Sequence, residues 1–132
     1  MVNEEVNIST IKKVELVNIT AEINQIVDGT NISEGLCHVF VPHATAAVLI
    51  NEDEPGFKAD IQKLINIWIP EGDWEHNQID SNATSHLASS LIGQSRTIPI
   101  LNNKLALGTW QEIFLVELDG PRQNRKVLVQ II

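Results

Sequence analysis

Cysteine is almost missing from this chain: Cys37 is the only one among 132 residues. No intrachain disulfide can form, which excludes a stapled secreted scaffold. Cys37 sits in the apolar run LCHVFVP, where a small buried hydrophobe is expected. Basic residues are scarce too. Lys and Arg number 9 against 17 Asp and Glu, leaving a formal net charge of −8. Such a chain repels a phosphate backbone, and its one local basic cluster, Arg122, Arg125 and Lys126, is too small to reverse that. Nucleic acid is therefore not an expected partner. No apolar stretch approaches the roughly 20 residues that span a bilayer, and the opening MVNEEVNIST has neither the basic nor the apolar region of a signal peptide. A cytoplasmic protein with no membrane partner is the expectation. Internal repeats, low-complexity segments and long linkers are absent as well, so residues 1–132 read as one domain.

What is present suits a packed core. The apolar fraction is 43% and the charged fraction 20%, the balance of an ordinary globular protein. Alternation predicts strands over IKKVELV (11–17), LCHVFVP (36–42) and AAVLIN (46–51). Later strands are expected in SRTIPIL (95–101), KLALGT (104–109), QEIFLVEL (111–118) and RKVLVQII (125–132), with turns at Asn102–Asn103 and Asp119–Arg122. Helical spacing appears three times. Thr20 can cap AEINQIVDGT, with Gly29 at its end. A second helix begins near Glu54 or Pro55, with Phe57, Ile61, Leu64, Ile65 and Trp68 as its apolar stripe. A third runs from about Ser81 to Ile92, capped by Asp80 or Ser81, with Ala83, Leu87 and Leu91 facing the core. Strands at both ends with helices between them imply an α+β domain whose sheet is largely antiparallel.

Four histidines occur, and two of them fall within WEHNQIDSNATSHL. Asn82 and His86 are four residues apart and share a face of the third helix; His76 lies in the loop before it. His43 stands at a strand end, where chemistry is often placed. Three neutral imidazoles with one open position form a catalytic zinc arrangement, oriented by carboxylates or carbonyls. His43, His76 and His86 are thus candidate metal ligands, with Asp80 or Glu117 as orienter or fourth ligand. The bland alternative makes His86 an interior histidine, His76 a loop residue and Asp80 a cap, and the spacing matches no compact zinc signature. Glu117 continues the apolar row of Ile113 and Leu115, which is costly for a carboxylate unless it is paired. Asn51 closes the strand after His43. Gly108 allows a turn in which Trp110 and Gln111 line a pocket. Arg122 can grip a phosphate bidentately, or form a turn-supporting ion pair with Asp119.

Taken together these segments resemble a known family. PHATAAVLINEDEP is similar to its PHTTAG…NEN motif, and HNQIDSNATSH to its H-x-x-x-D-x-N-A-x-x-H segment. IPILNNKLALGTWQEIFLVELDGPR is close to its IPV…G-x-L-x-LGTWQ…E-x-DGPR run. The family is the YjbQ-like one, also described as secondary thiamine-phosphate synthases, and the resemblance runs from about Val14 to the C-terminus. It implies a β-sandwich-like α+β fold with two or three helices, assembled as a homotrimer. It places His43, His76 and His86 at motif histidines that would hold a divalent metal, zinc among the candidates. Asp80 and Glu117 would handle a proton, while Asn51, Asn82, Trp110, Gln111, Arg122 and Thr45 would bind a small phosphorylated substrate. Ala44 departs from the HTT pattern and leaves Thr45 alone; Asn103 stands where glycine is common. The implied activity is weak thiamine-phosphate synthesis or related transfer on a phosphorylated molecule. A non-catalytic metal- or anion-binding trimer and a metal-dependent hydrolase are the alternatives.

Overall fold

In the computed structural model, which describes residues 1–132, eight strands and three α-helices build an α+β fold. The order is β1 (Val2–Ile8), β2 (Glu15–Asn18), α1 (Thr20–Thr30), β3 (Glu34–Phe40), β4 (Ala46–Asn51) and α2 (Pro55–Trp68). A 3₁₀ turn at Glu75–Gln78 then leads to α3 (Ala83–Ile92), β5 (Ser95–Leu101), β6 (Lys104–Leu105), β7 (Glu112–Glu117) and β8 (Arg125–Ile131). One sheet has the order β1-β8-β3-β5-β6 and the other β2-β7-β4. Every pairing is antiparallel.

β7 explains the layering. Its run IFLV is apolar on both faces because both faces are covered. Ile113 and Leu115 enter a core shared with α1 and the large sheet, alongside Ile23, Val39, Val48 and Val129. Phe114 and Val116 enter a second core, with Ala88 of α3 and, at its edge, Ile61 and Ile65 of α2. The small sheet therefore lies between the large sheet and the α2/α3 pair.

Several local expectations are corrected. β1 was not expected: EE in VNEEVNI breaks the apolar alternation, as suits an edge strand that keeps charge on its open side. The strand predicted from Ile11 starts only at Glu15, whose carboxylate accepts the Ile11 and Lys12 N–H groups and winds that stretch into a turn. Thr20 does not cap α1 but opens it, and its hydroxyl accepts the Ile113 N–H. The helix ends at Asn31 in the left-handed region, not at Gly29. β6 covers only Lys104–Leu105 of KLALGT.

α3 is turned over relative to its predicted face. Leu87 and Leu91 are exposed, whereas Asn82, Ser85 and Ser89 are buried. The reason lies beneath the helix, in two loops that present bare carbonyls. Ser85 Oγ donates to Leu118 O at 2.6 Å, and Ser89 Oγ to Ala44 O. Buried carbonyls need donors, so the Ser/Asn face goes inward and sets α3 over the ends of β3 and β7.

Gly120 makes this region intolerant of a side chain. Its N–H donates to Lys13 O at 3.0 Å, and an added Cβ would run into the Lys12 carbonyl oxygen and approach Glu117 Cγ at 2.9 Å. Gly29 on α1 faces open space. Gly120→Ala is expected to lose about 1–3 kcal/mol through overpacking, while Gly29→Ala should gain about 0.5–1 kcal/mol from helix entropy. Urea unfolding of the two variants checks both; equal effects would mean that the space around Gly120 is not limiting.

Candidate functional site

The ends of β3 and β7, the start of β8 and the N-terminal half of α3 meet at one edge of the molecule. An ion pair lies beneath them. Glu117 has no exposed surface, and its carboxylate accepts five hydrogen bonds: from Thr10 Oγ1, Arg125 Nε and Nη2, and the Leu118 and Asp119 N–H groups. Burial alone would raise the Glu117 carboxyl, but the Arg125 and Thr10 hydrogen bonds outweigh it and hold the group below the usual range. Arg125 Nη2 also donates to Thr45 Oγ1 at 2.9 Å and to Thr45 O. Glu117, expected to handle a proton, and Thr45, expected to bind substrate, are thus buried anchors tying three loops together. Neither Arg125 nor Thr10 was singled out from the sequence. Arg125 heads the inward row of Val127, Val129 and Ile131, the same anomaly that marked Glu117, and pairing the two anomalies would have found it.

Above this pair sits Asp119. Oδ2 accepts from Asn82 Nδ2 at 2.9 Å and from Arg122 Nη2 at 3.0 Å, and Oδ1 from Lys13 Nζ at 3.1 Å. Partial burial works to raise its pKa, and the Asn82, Lys13 and Arg122 hydrogen bonds overcome that to keep the carboxyl below its ordinary value. Arg122 Nε donates to Asp119 O at 3.0 Å, so two of the guanidinium's five N–H donors fix its aim and the rest have no partner within the chain on a half-exposed side chain. The turn-supporting ion pair therefore forms, and it leaves Arg122 free to meet an anion.

His76 and His86 come together. Their ring centroids are 4.3 Å apart with planes tilted by 55°, and both side chains are half-buried. His76 Nε2 lies 3.1 Å from Asn82 Oδ1. The 3₁₀ turn delivers His76, and Asn77 Oδ1 accepts the Ala83 N–H at the start of α3. Asp80 is exposed, and its carboxylate accepts only the neighbouring Ser81 N–H. The orienting carboxylate expected at Asp80 or Glu117 is instead Asp119.

His43 has a different task. Beyond Phe40 the β3–β8 ladder stops, and the Lys126 N–H donates to His43 Nε2 at 2.8 Å. Desolvation, reinforced by the Arg125 charge, lowers the His43 pKa. Its neutral ring carries the proton on Nδ1. A catalytic zinc ion usually takes three protein ligands, and no group of three His, Cys, Asp or Glu in this chain is placed to hold one. The imidazole pair by itself does not fit such an ion.

Three expected residues lie elsewhere. Along β4 and β7 the register runs from Ala46↔Glu117 to Asn51↔Glu112, five residue steps or about 17 Å. Asn51, Trp110 and Gln111 stand at the far end from the histidine pair. Asn51 Oδ1 accepts the Glu52 N–H, Gln111 Oε1 accepts the Gly108 N–H at 2.8 Å, and Trp110 is 72% exposed.

Comparison with known proteins agrees with the motifs. The family described as UPF0047 protein YjbQ-like matches residues 4–132. A UPF0047 protein of Methanothermobacter thermautotrophicus is 40% identical over 129 residues, covering 97% of this chain and 90% of that protein. UPF0047 protein YugU of Bacillus subtilis is 36% identical, covering 87% and 88%. A YbjQ-like protein of unknown function from Sulfolobus solfataricus P2 superposes with a TM-score of 0.96 at 44% identity, covering 98% of this chain and 95% of that one. A hypothetical protein from Aeropyrum pernix K1 gives 0.96 at 38% identity, covering 100% and 98%. No helix here is long and apolar enough to cross a membrane.

Proposed function

The chain belongs to the YjbQ-like UPF0047 family, and from that membership and the site's geometry we propose an enzyme that acts on a small phosphorylated molecule. The observation that carries this reading is the single hydrogen-bonded unit joining the His76/His86 pair, through Asn82 and Asp119, to the half-exposed guanidinium of Arg122. It sets proton-transfer groups beside an anion grip.

The reaction suggested by the family resemblance is thiamine-phosphate synthesis. A thiazole phosphate nitrogen attacks the methylene carbon of a pyrimidine diphosphate; the new C–N bond forms as the C–O bond breaks and pyrophosphate leaves. Arg122 binds phosphate oxygens where negative charge accumulates. A proton held by His86 goes to the departing pyrophosphate, the ordinary work of a general acid. His43, neutral with Nδ1–H free to donate, adds a hydrogen bond to an oxygen near Arg122. A homotrimer belongs to this proposal. A resident divalent ion would supply further charge neutralisation, and it would need donors from outside one chain.

The test is pyrophosphate release on mixing the pyrimidine diphosphate with the thiazole phosphate, beside a panel of phosphorylated small molecules. Arg122→Ala is expected to lower kcat/KM at least about tenfold, through kcat as well as KM, since a hydrogen bond to a charged group is worth about 1.5–3 kcal/mol. A pure protein that turns over no member of the panel would defeat the enzymatic reading.

A further inference from the structure

We propose that Asp119 is a positioning residue that decides, through the Asn82 amide, which nitrogen of His76 carries the proton, and so leaves Nδ1 as the bare lone pair. This rests on the enzymatic reading above and assigns acid and base roles among its imidazoles.

Donors and acceptors fix the arrangement. Lys13 and Arg122 hold Asp119 as a carboxylate, and a carboxylate only accepts. Asn82 must therefore turn its Nδ2 towards Asp119 Oδ2, at 2.9 Å. The opposite amide orientation would set two oxygens face to face. With Nδ2 so engaged, Asn82 Oδ1 is what faces His76 Nε2, at 3.1 Å. A carbonyl oxygen only accepts, so Nε2 holds the proton and Nδ1 of the neutral ring is bare. Asn82 is only 8% exposed, so water does not readily replace either bond. The order carboxylate–amide–imidazole does what a carboxylate bonded directly to a ring nitrogen does elsewhere: it chooses the tautomer.

His43 is set the other way. There the Lys126 N–H donates into Nε2, so the neutral ring keeps its proton on Nδ1. The site thus contains one imidazole arranged as an N–H donor and another arranged as a lone-pair acceptor. The same Asp119 oxygen that starts the relay also takes Arg122 Nη2, so one carboxylate sets both the base and the phosphate grip.

The test needs no substrate. Protein labelled with ¹⁵N-histidine and freed of metal by chelation is examined by long-range ¹H–¹⁵N correlation at about pH 8, where an unperturbed imidazole is neutral. His76 is expected to show a protonated Nε2 and an unprotonated Nδ1. In Asp119→Ala the Asn82 amide has no oxygen to face, both of its orientations become open, and the Nδ1–H tautomer of His76 becomes populated. The Nε2–H to Nδ1–H ratio should fall at least about tenfold, the equivalent of one hydrogen bond exchanged. Asp119→Asn can keep a carbonyl oxygen towards Asn82 Nδ2 and Arg122 Nη2 and should keep the wild-type tautomer. His38, bonded to Thr97 on the outer face of the large sheet, reports that the fold is intact. A wild-type His76 carrying its proton on Nδ1 would overturn the proposal outright. So would an unchanged His76 in a folded Asp119→Ala protein. Turnover is not read, so this result and the substrate panel succeed or fail separately.

Discussion

Arg125→Met is expected to lower the unfolding free energy by about 3–5 kcal/mol at pH 7, because it leaves a buried carboxylate without its counter-ion. Glu117 has no exposed surface, and Arg125 supplies two of its five hydrogen bonds. Thr10 Oγ1 and two backbone N–H groups remain, but none of them carries a full charge. The pH dependence separates this cause from simple loss of packing. In the wild type the folded Glu117 pKa lies below its unfolded value. Its contribution is therefore present above the ordinary glutamate value of about 4.3 and is lost as pH falls through the folded pKa. In Arg125→Met desolvation acts unopposed by the guanidinium and the folded pKa rises above the unfolded one. The variant should then gain stability relative to the wild type as pH drops from 7 towards 5, a window in which the lowered His43 pKa costs the wild type stability. Glu117→Gln combined with Arg125→Met should recover much of the loss, since the amide oxygen can still accept the Leu118 N–H. Urea titrations at pH 5, 6 and 7 decide the matter. A loss under about 1 kcal/mol, or parallel pH profiles, would mean the pair is not the anchor described here.

This buried pair also shows where sequence reading reaches and where it stops. A carboxylate in the apolar row of IFLVE was visible as an anomaly, because alternation alone assigns Glu117 an inward position. What it paired with was not visible: Arg125 follows a turn, and whether β8 returns beside β3 or elsewhere depends on tertiary pairing. The same limit applies to α3. Its leucines looked like a core face because apolar residues normally go inward, but loop carbonyls at Ala44 and Leu118 required hydroxyl donors and took the serine face instead. That requirement arises from loops distant in sequence. His76 and His86 were legible as neighbours, since a turn of chain before the helix can fold back on it. Asp80 or Glu117 is the orienting carboxylate the sequence suggests, whereas the one joined to His76 through Asn82 is Asp119, 37 residues beyond Asn82. Motif resemblance cannot say which end of a strand a residue occupies in three dimensions relative to the others. Asn51, Trp110 and Gln111 read as one site with the histidines, and the β4–β7 register sets them at the opposite end of the small sheet.

His76→Ala and His86→Ala are each expected to reduce turnover by about 10²–10⁴-fold on whichever phosphorylated substrate the wild type converts, the usual contribution of a positioned acid or base. The two rings are close enough, at 4.3 Å between centroids, that they act as a unit. The double variant should therefore be little worse than the poorer single one, as is found for groups that share one step. Stability is expected to change little in His86→Ala, whose ring is half-buried and outside the two apolar cores, and by about 0.5–1.5 kcal/mol in His76→Ala, which leaves the buried Asn82 Oδ1 without its partner. His43→Ala resembles the latter. It removes the acceptor of the Lys126 N–H, so part of its effect appears in unfolding free energy, about 0.5–1.5 kcal/mol for one hydrogen bond. Elemental analysis of untagged protein, beside His86→Ala, separates two origins for the catalytic loss. Metal present in the wild type and absent from the variant would assign the pair to ligation completed by donors from outside the chain. Equal, negligible metal in both, with turnover lost only in the variant, would assign it to proton transfer. Full activity in all three alanine variants would remove the histidines from the chemistry and leave Arg122 as the only functional group of this site.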